Sequence, residues 1–150
     1  MNNPSLKHCE SRKFRLATPD DTAHCVRLLV PLYEKVGGIY GIPLDLESLT
    51  DAVLTTIQTG ICIVGPVACA GGLLFPFPWN RNALVGYTLF WNYTKPSGVK
   101  ILPALMDEFR RRGATQFCAI SHFPENKAAR IYRRFGLRKS EISHNCALSQ

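Results

Sequence analysis

The sequence predicts an α+β fold: a mixed, mostly antiparallel sheet with helices on both faces, in the order β-α-α-β-β-β-α-β-α-β. Three observations carry this. Apolar residues recur at helical spacing through the first third of the chain. The middle, residues 61–93, is dense in β-branched and aromatic residues, and the last third alternates helix, strand and helix. At 150 residues, 46% hydrophobic and 19% charged, the composition fits one domain able to bury its own core, with residues 1–12 as an N-terminal extension.

Taken in order, residues 14–18 form a short strand, and Thr18-Pro-Asp-Asp opens a helix that Asp20 or Asp21 can cap. His24, Cys25, Leu28, Leu29 and Leu32 mark its apolar stripe, and Pro31 should kink or end it. Residues 37–43, with Gly37, Gly38 and Gly41, are expected to be a flexible loop. A second helix spans about 46–59, with Leu49, Val53, Leu54 and Ile57 inward and Gly60 as its stop. Strands follow at 61–64, 67–77 and 83–93, the last two joined by a hairpin turn at 78–82. Gly71-Gly72 in mid-strand signals a bulge or a close backbone approach. A helix over 99–112, a buried strand over 116–121, a helix around Asn126–Tyr132 and a final strand after Gly136 complete the order.

No apolar run approaches the roughly 18 residues that span a bilayer, so no membrane partner is expected. The first ten residues lack the apolar core of a signal peptide; a cytoplasmic location and reduced cysteines are therefore expected. The six cysteines show no Cys-x-x-Cys spacing, and His8-Cys9, His24-Cys25 and His144-x-Cys146 lack the paired spacing of zinc ligands, so no metal is expected. A net charge of +7 favours an anionic partner. Arg110–Arg112 suit a helix C-terminus, and Arg133, Arg134, Arg138 and Lys139 form a second basic cluster. Without interleaved aromatics or a nucleic-acid motif these read as solvated faces, and nucleic acid is not expected as a partner.

The segment from Glu125 to Leu137 is the most informative. Asn126, Ala129 and Tyr132 lie three apart and drift slowly round one side of a helix, and Gly136 stands where a C-terminus wants positive φ. The pattern Asn-x-x-Ala-x-x-Tyr-x-x-x-Gly-Leu resembles the coenzyme-A-side helix of the GNAT superfamily of N-acetyltransferases, with Leu137 in place of the usual Phe. The element order from Phe14 nearly to the end is similar to that of the same superfamily. A shortened end also looks like compact forms found in tailed bacteriophages.

That resemblance implies acetyl-CoA as acyl donor and direct attack by an amine. It places the pyrophosphate on the loop after the fourth strand, where Lys95-Pro-Ser97-Gly98-Val99-Lys100 stands for the usual Gln/Arg-x-x-Gly-x-Gly/Ala. Only Gly98 matches outright. Lys95 replaces the basic first residue, Lys100 a small one, and Pro103 is a further departure. Exposed N–H groups at a helix start give such a loop its anion affinity. The pantetheine arm would run along Phe90, Trp91, Asn92 and Tyr93, pairing like an added strand. Asn126 and Ala129 would face the cofactor, and Tyr132 would protonate the departing thiolate. The strand 83–93 contains no carboxylate to serve as base; His122, then Glu34, are the candidates. The acceptor, an amine-bearing small molecule or protein, would enter between the 37–43 loop and the final strand. A catalytically degenerate relative that binds a CoA ester or a macromolecule is the alternative, and a homodimer stays open.

Overall fold

The computed structural model describes residues 14–120 and 127–139. The elements are β1 (Arg15–Leu16), α1 (Thr22–Tyr40), α2 (Leu46–Thr59), β2 (Ile61–Gly65), β3 (Ala68–Phe77), β4 (Asn80–Tyr93), α3 (Ile101–Arg111), β5 (Ala114–Cys118) and α4 (Lys127–Arg134). This is the expected order through its ninth element. The expected last strand falls on 137–150, of which 137–139 are described and form no strand.

The strands lie side by side in sequence order, antiparallel except for the parallel pair of β4 and β5. Their alternation builds two cores. Cys62, Val64 and Cys69 meet α1 and α2 through Cys25, Leu28, Leu29, Leu49 and Val53. Ile61, Ile63, Ala68 and Ala70 point the other way, onto Ile101, Leu105 and Phe109 of α3. A period of two thus feeds both faces from the same strands.

The register breaks once near the middle of the β3–β4 ladder. Gly71 pairs with Phe90 but Gly72 pairs with Thr88, which leaves Leu89 as an extra residue in β4. A side chain on Gly71 would enter the Phe90 ring, and one on Gly72 would meet the Tyr87 carbonyl. The glycines therefore answer the expectation of a bulge and of a close approach together. The bulge switches parity. Before it, Gly86 lies under Phe109; after it, Trp91 and Tyr93 take the α3 side while Phe90 joins the α1–α2 core.

Several boundaries differ from expectation. α1 does not stop at Pro31 but continues through Gly37 and Gly38 to Tyr40, so the expected loop shrinks to the turn after Gly41 (φ 66°). Burial of Leu28, Leu29 and Val36 outweighs the proline, and Asn92 Nδ2 donates to the Leu28 carbonyl (2.7 Å) in the turn before it. Gly37 is needed because the returning chain lays the Ile42 carbonyl where a Cβ would stand. The β3–β4 turn is only Pro78-Trp79, with Phe77 paired to Asn80. The helix expected at 99–112 is a 3-10 turn, Pro96–Lys100, followed by α3, which places Pro103 in the first turn, where no N–H is missed. β5 begins earlier than expected and its side chains are half-buried or exposed. Only α2 has the bounds expected, set by Asp45, whose carboxylate accepts from the Glu47 and Ser48 N–H groups, and by Gly60.

The entry to α1 is clasped by Asp21. Its carboxylate accepts from both terminal nitrogens of Arg15 (2.7 and 2.8 Å) and from the Thr18 N–H (2.8 Å), tying β1 to the helix start. The Arg15 guanidinium, then the Thr18 N–H, hold this carboxyl well below the usual range. A depressed folded-state pKa gives stability above the unfolded value, near ~3.9, that is lost as pH falls through the folded one. Asp21→Asn should lower the unfolding free energy by about 1 kcal/mol at pH 7. In urea titrations the gap from wild type should narrow below about pH 4.

Candidate active site

β5 stays with β4 only from Leu84 to Tyr87, whose partner is Cys118. Beyond that pair the strands separate, and Thr88 to Tyr93 have no strand partner on the β5 side among the described residues. A cavity of about 620 Å³ fills the fork. Its walls are this stretch of β4 with Thr94, the second half of α1 (Pro31, Leu32, Tyr33, Lys35), Ile120 after β5, and Ala128, Ile131 and Tyr132 of α4. That is an ordinary volume for a small-molecule site.

Tyr132 closes one end. Its Oη donates to the Ile120 carbonyl (2.6 Å) and accepts from Trp91 Nε1 (2.8 Å). The Trp91 ring lies between those of Tyr132 (centroids 5.8 Å apart) and Tyr93 (5.9 Å). Burial pushes the phenol up to about 12, against the smaller opposing pull of the Trp91 N–H. α4 holds its tyrosine with a firm C-terminus: Gly136 (φ 81°) donates to the Arg133 carbonyl and Leu137 to that of Tyr132, a Schellman closure.

The bulge stands at the other side. Tyr33 Oη donates to the Leu89 carbonyl (3.3 Å), and burial raises this phenol also. Thr88, 2% exposed, has a hydroxyl with no hydrogen-bond partner among the described residues. A buried orphan of this kind costs about 1–3 kcal/mol unless a ligand satisfies it.

No protein-family model matches the sequence, and no curated protein matches it as a relative. Solved structures do match in shape. A "possible acetyltransferase" from Clostridium difficile 630 is 16% identical, covering 91% of this chain and 97% of its own, with a TM-score of 0.67. A "predicted acetyltransferase with acetyl-CoA" from Clostridium acetobutylicum is 18% identical over 89% and 94%, with a TM-score of 0.66. An integron cassette protein from the mobile metagenome of Cole Harbour Salt Marsh is 16% identical over 99% and 97%, with a TM-score of 0.72.

This is the GNAT acetyltransferase fold.

Within the GNAT frame, the residues expected to bind cofactor divide. Phe90, Trp91, Asn92 and Tyr93 line the cavity, although Phe90 and Asn92 are turned into the α1 side, where Asn92 holds the Leu28 carbonyl. Just beyond Thr94, Lys95 precedes the 3-10 turn that holds Ser97, Gly98 and Val99. Gly98 is there for packing: its N–H donates to Lys95 O (2.8 Å), and a Cβ would meet those of Tyr93 (2.7 Å) and Ala68 (3.0 Å). Lys100 lines a separate depression between β1 and α3 with Arg15, Asp107 and Glu108. Ala129 gives way to Ala128, because α4 turns residues 128, 131 and 132 to the cavity, the i, i+3, i+4 face. Glu34 is exposed and outside the lining, which its neighbours Tyr33 and Lys35 supply. His122 and Asn126 lie outside the described residues.

Tyr33, Lys35, Thr88, Leu89 and Ile120 are site residues that sequence reasoning missed. The Gly71-Gly72 pair pointed to the bulge, but nothing local linked it to Tyr33, 56 positions from Leu89. Of the remaining early candidates, His8, Cys9, His144 and Cys146 lie outside the described residues. His24 Nε2 donates to the Gly65 carbonyl (3.0 Å), Cys25, Cys62 and Cys69 are buried thiols, and no metal-ligating cluster occurs among the described residues. The hydrogen bond with Cys25, and then burial, push the Cys62 and Cys69 thiols up.

Because its hydroxyl is unpartnered, Thr88→Val should stabilise the ligand-free protein by about 1 kcal/mol, read as a higher urea midpoint with unchanged slope. A destabilised variant would show that the hydroxyl already has a partner.

Proposed function

We propose that the protein is an acetyl-CoA-dependent N-acetyltransferase acting on an amine by direct attack. The observation that carries this is the fork itself: a stretch of β4 with no partner on its β5 side among the described residues, facing a cavity that Tyr132 lines with Tyr33 and Tyr93. The free edge offers main-chain groups to the amide-rich pantetheine arm, as an added strand. The Lys95–Val99 turn lies where the phosphates would follow, with Lys95 and Ser97 exposed. The bulge and Tyr132 then flank the thioester. The acetyl-CoA complex of the Clostridium acetobutylicum protein, similar in fold, supports the same donor.

In the reaction the neutral amine nitrogen attacks the thioester carbonyl carbon. The C–S bond breaks with its electron pair on sulfur, and the proton lost by the new ammonium passes to His122 or to water. Tyr132 serves the sulfur. Its hydroxyl needs only to rotate from the Ile120 carbonyl towards the cavity. A phenol held near 12 is a weaker acid than a thiol near ~8.5, so Tyr132 steadies the thiolate chiefly as a hydrogen-bond donor, and solvent supplies the lasting proton. The raised pKa also keeps Tyr132 protonated across the working range, so a basic limb below about pH 10 belongs to another group.

Acetyl-CoA should raise the melting temperature, and thiol release should follow addition of an acceptor amine. Tyr132→Phe should lower kcat about a hundredfold while moving the acetyl-CoA Kd less than about threefold, since the bond matters in the transition state. Equal kcat in the variant would reduce Tyr132 to packing. A thermal shift without thiol release from any amine would point instead to a CoA-ester-binding protein.

His122 is the proposed base, two positions beyond Ile120 in the chain. His122→Gln should leave acetyl-CoA binding intact, lower the rate at neutral pH and remove the acidic limb of the pH–rate profile, centred near ~6.5 for imidazole. A variant with the wild-type profile would hand the proton to water alone.

A further inference from the structure

α1 runs antiparallel to β4 along the cavity. The Leu28 carbonyl meets Asn92 near the phosphate end, and Tyr33 meets Leu89 at the bulge. Lys35 lies two residues beyond Tyr33 on α1, which sets its backbone at the bulge end, away from Thr94 and the Lys95 turn. It has no ion pair with any described residue. Among the described residues no Asp or Glu lines the cavity, and α1 presents Pro31, Leu32 and Tyr33 to it beside Lys35. If coenzyme A occupies the Thr94 end, the acceptor takes the Lys35 end.

That end suits one kind of amine. A polycation would bring ammonium groups beside Lys35 with no carboxylate among the described lining residues to receive them, in a chain of net charge +7. A carboxylate on the acceptor would pair with Lys35, and the apolar wall would take an aliphatic or aromatic body. The positive surroundings also favour the uncharged amine that attack requires. We propose that the acceptor is an amino-acid-like amine, carrying a carboxylate that Lys35 binds and an apolar side chain. This rests on the transferase reading above.

The test pairs acids with their amides: leucine against leucinamide and phenylalanine against phenylalaninamide, with spermidine as the polycation. Thiol release and product mass are followed for wild type, Lys35→Ala and Lys35→Glu, and the acetyl-CoA Kd is measured for each. Lys35 is exposed, so the variants should melt with wild type. The acid-to-amide ratio of kcat/KM should fall about fivefold in Lys35→Ala, the effect of a partly exposed ion pair, and further in Lys35→Glu. An unmoved ratio overturns the proposal, as does wild-type preference for spermidine. A weaker acetyl-CoA Kd in Lys35→Ala with the ratio unchanged would assign Lys35 to the cosubstrate and overturn it too. Absence of acetyl-CoA binding, or of thiol release from every amine, would instead remove the transferase reading, and this proposal with it.

Discussion

Gly71 and Gly72 give up their side chains so that β4 can carry one residue more than the strand beside it, and most of the site follows from that insertion. Leu89 is the added residue. It bends β4 where β5 leaves it, turns Trp91 and Tyr93 towards the α3 side, and sends Phe90 into the space that Gly71 leaves open. The fork, the unpaired edge and the meeting of Trp91 with Tyr132 all lie beyond this point in β4. Bulges of this kind raise local twist and end pairing on the strand that carries them. Here the end of pairing with β5 is what opens the cavity.

The two phenols illustrate how the fold assigns roles to like groups. Tyr132 lies against an indole N–H and a strand-end carbonyl, and Tyr33 against the carbonyl of the bulge. Both are raised by burial, so both remain hydrogen-bond donors at neutral pH. Neither is built to act as a base. Among its described lining residues the site combines neutral donors with Lys35, whereas the buried Glu108 of α3 pairs with Arg111 and Arg112 away from it.

Features written locally were legible in the sequence. Gly60 stops α2, Gly136 ends α4, and β-branched and aromatic density marks the three central strands. What failed was decided by contacts between distant segments. Pro31, Gly37 and Gly38 argue against a helix, yet α1 continues because the sheet buries its apolar stripe. Ala129 and Ala128 differ by one helical step, and spacing alone cannot fix which of them faces a cleft. Gly98 was picked out by a loop pattern, and its close packing on Tyr93 and Ala68 is a second demand for a glycine there that the sequence did not show. Tyr33 and Lys35 carried no local signal, because their importance comes from where α1 crosses β4.

The parity switch at Leu89 has a consequence for how such a chain can vary over evolutionary time. Replacing Leu89 changes one exposed side chain, whereas deleting it would shift every later residue of β4 to the opposite face. Trp91 and Tyr93 would be driven into the α1–α2 core and Phe90 thrown out of it. Descent can therefore replace Leu89 far more easily than delete it. A likeness in shape that persists at 16% identity is what counting, rather than spelling, would preserve.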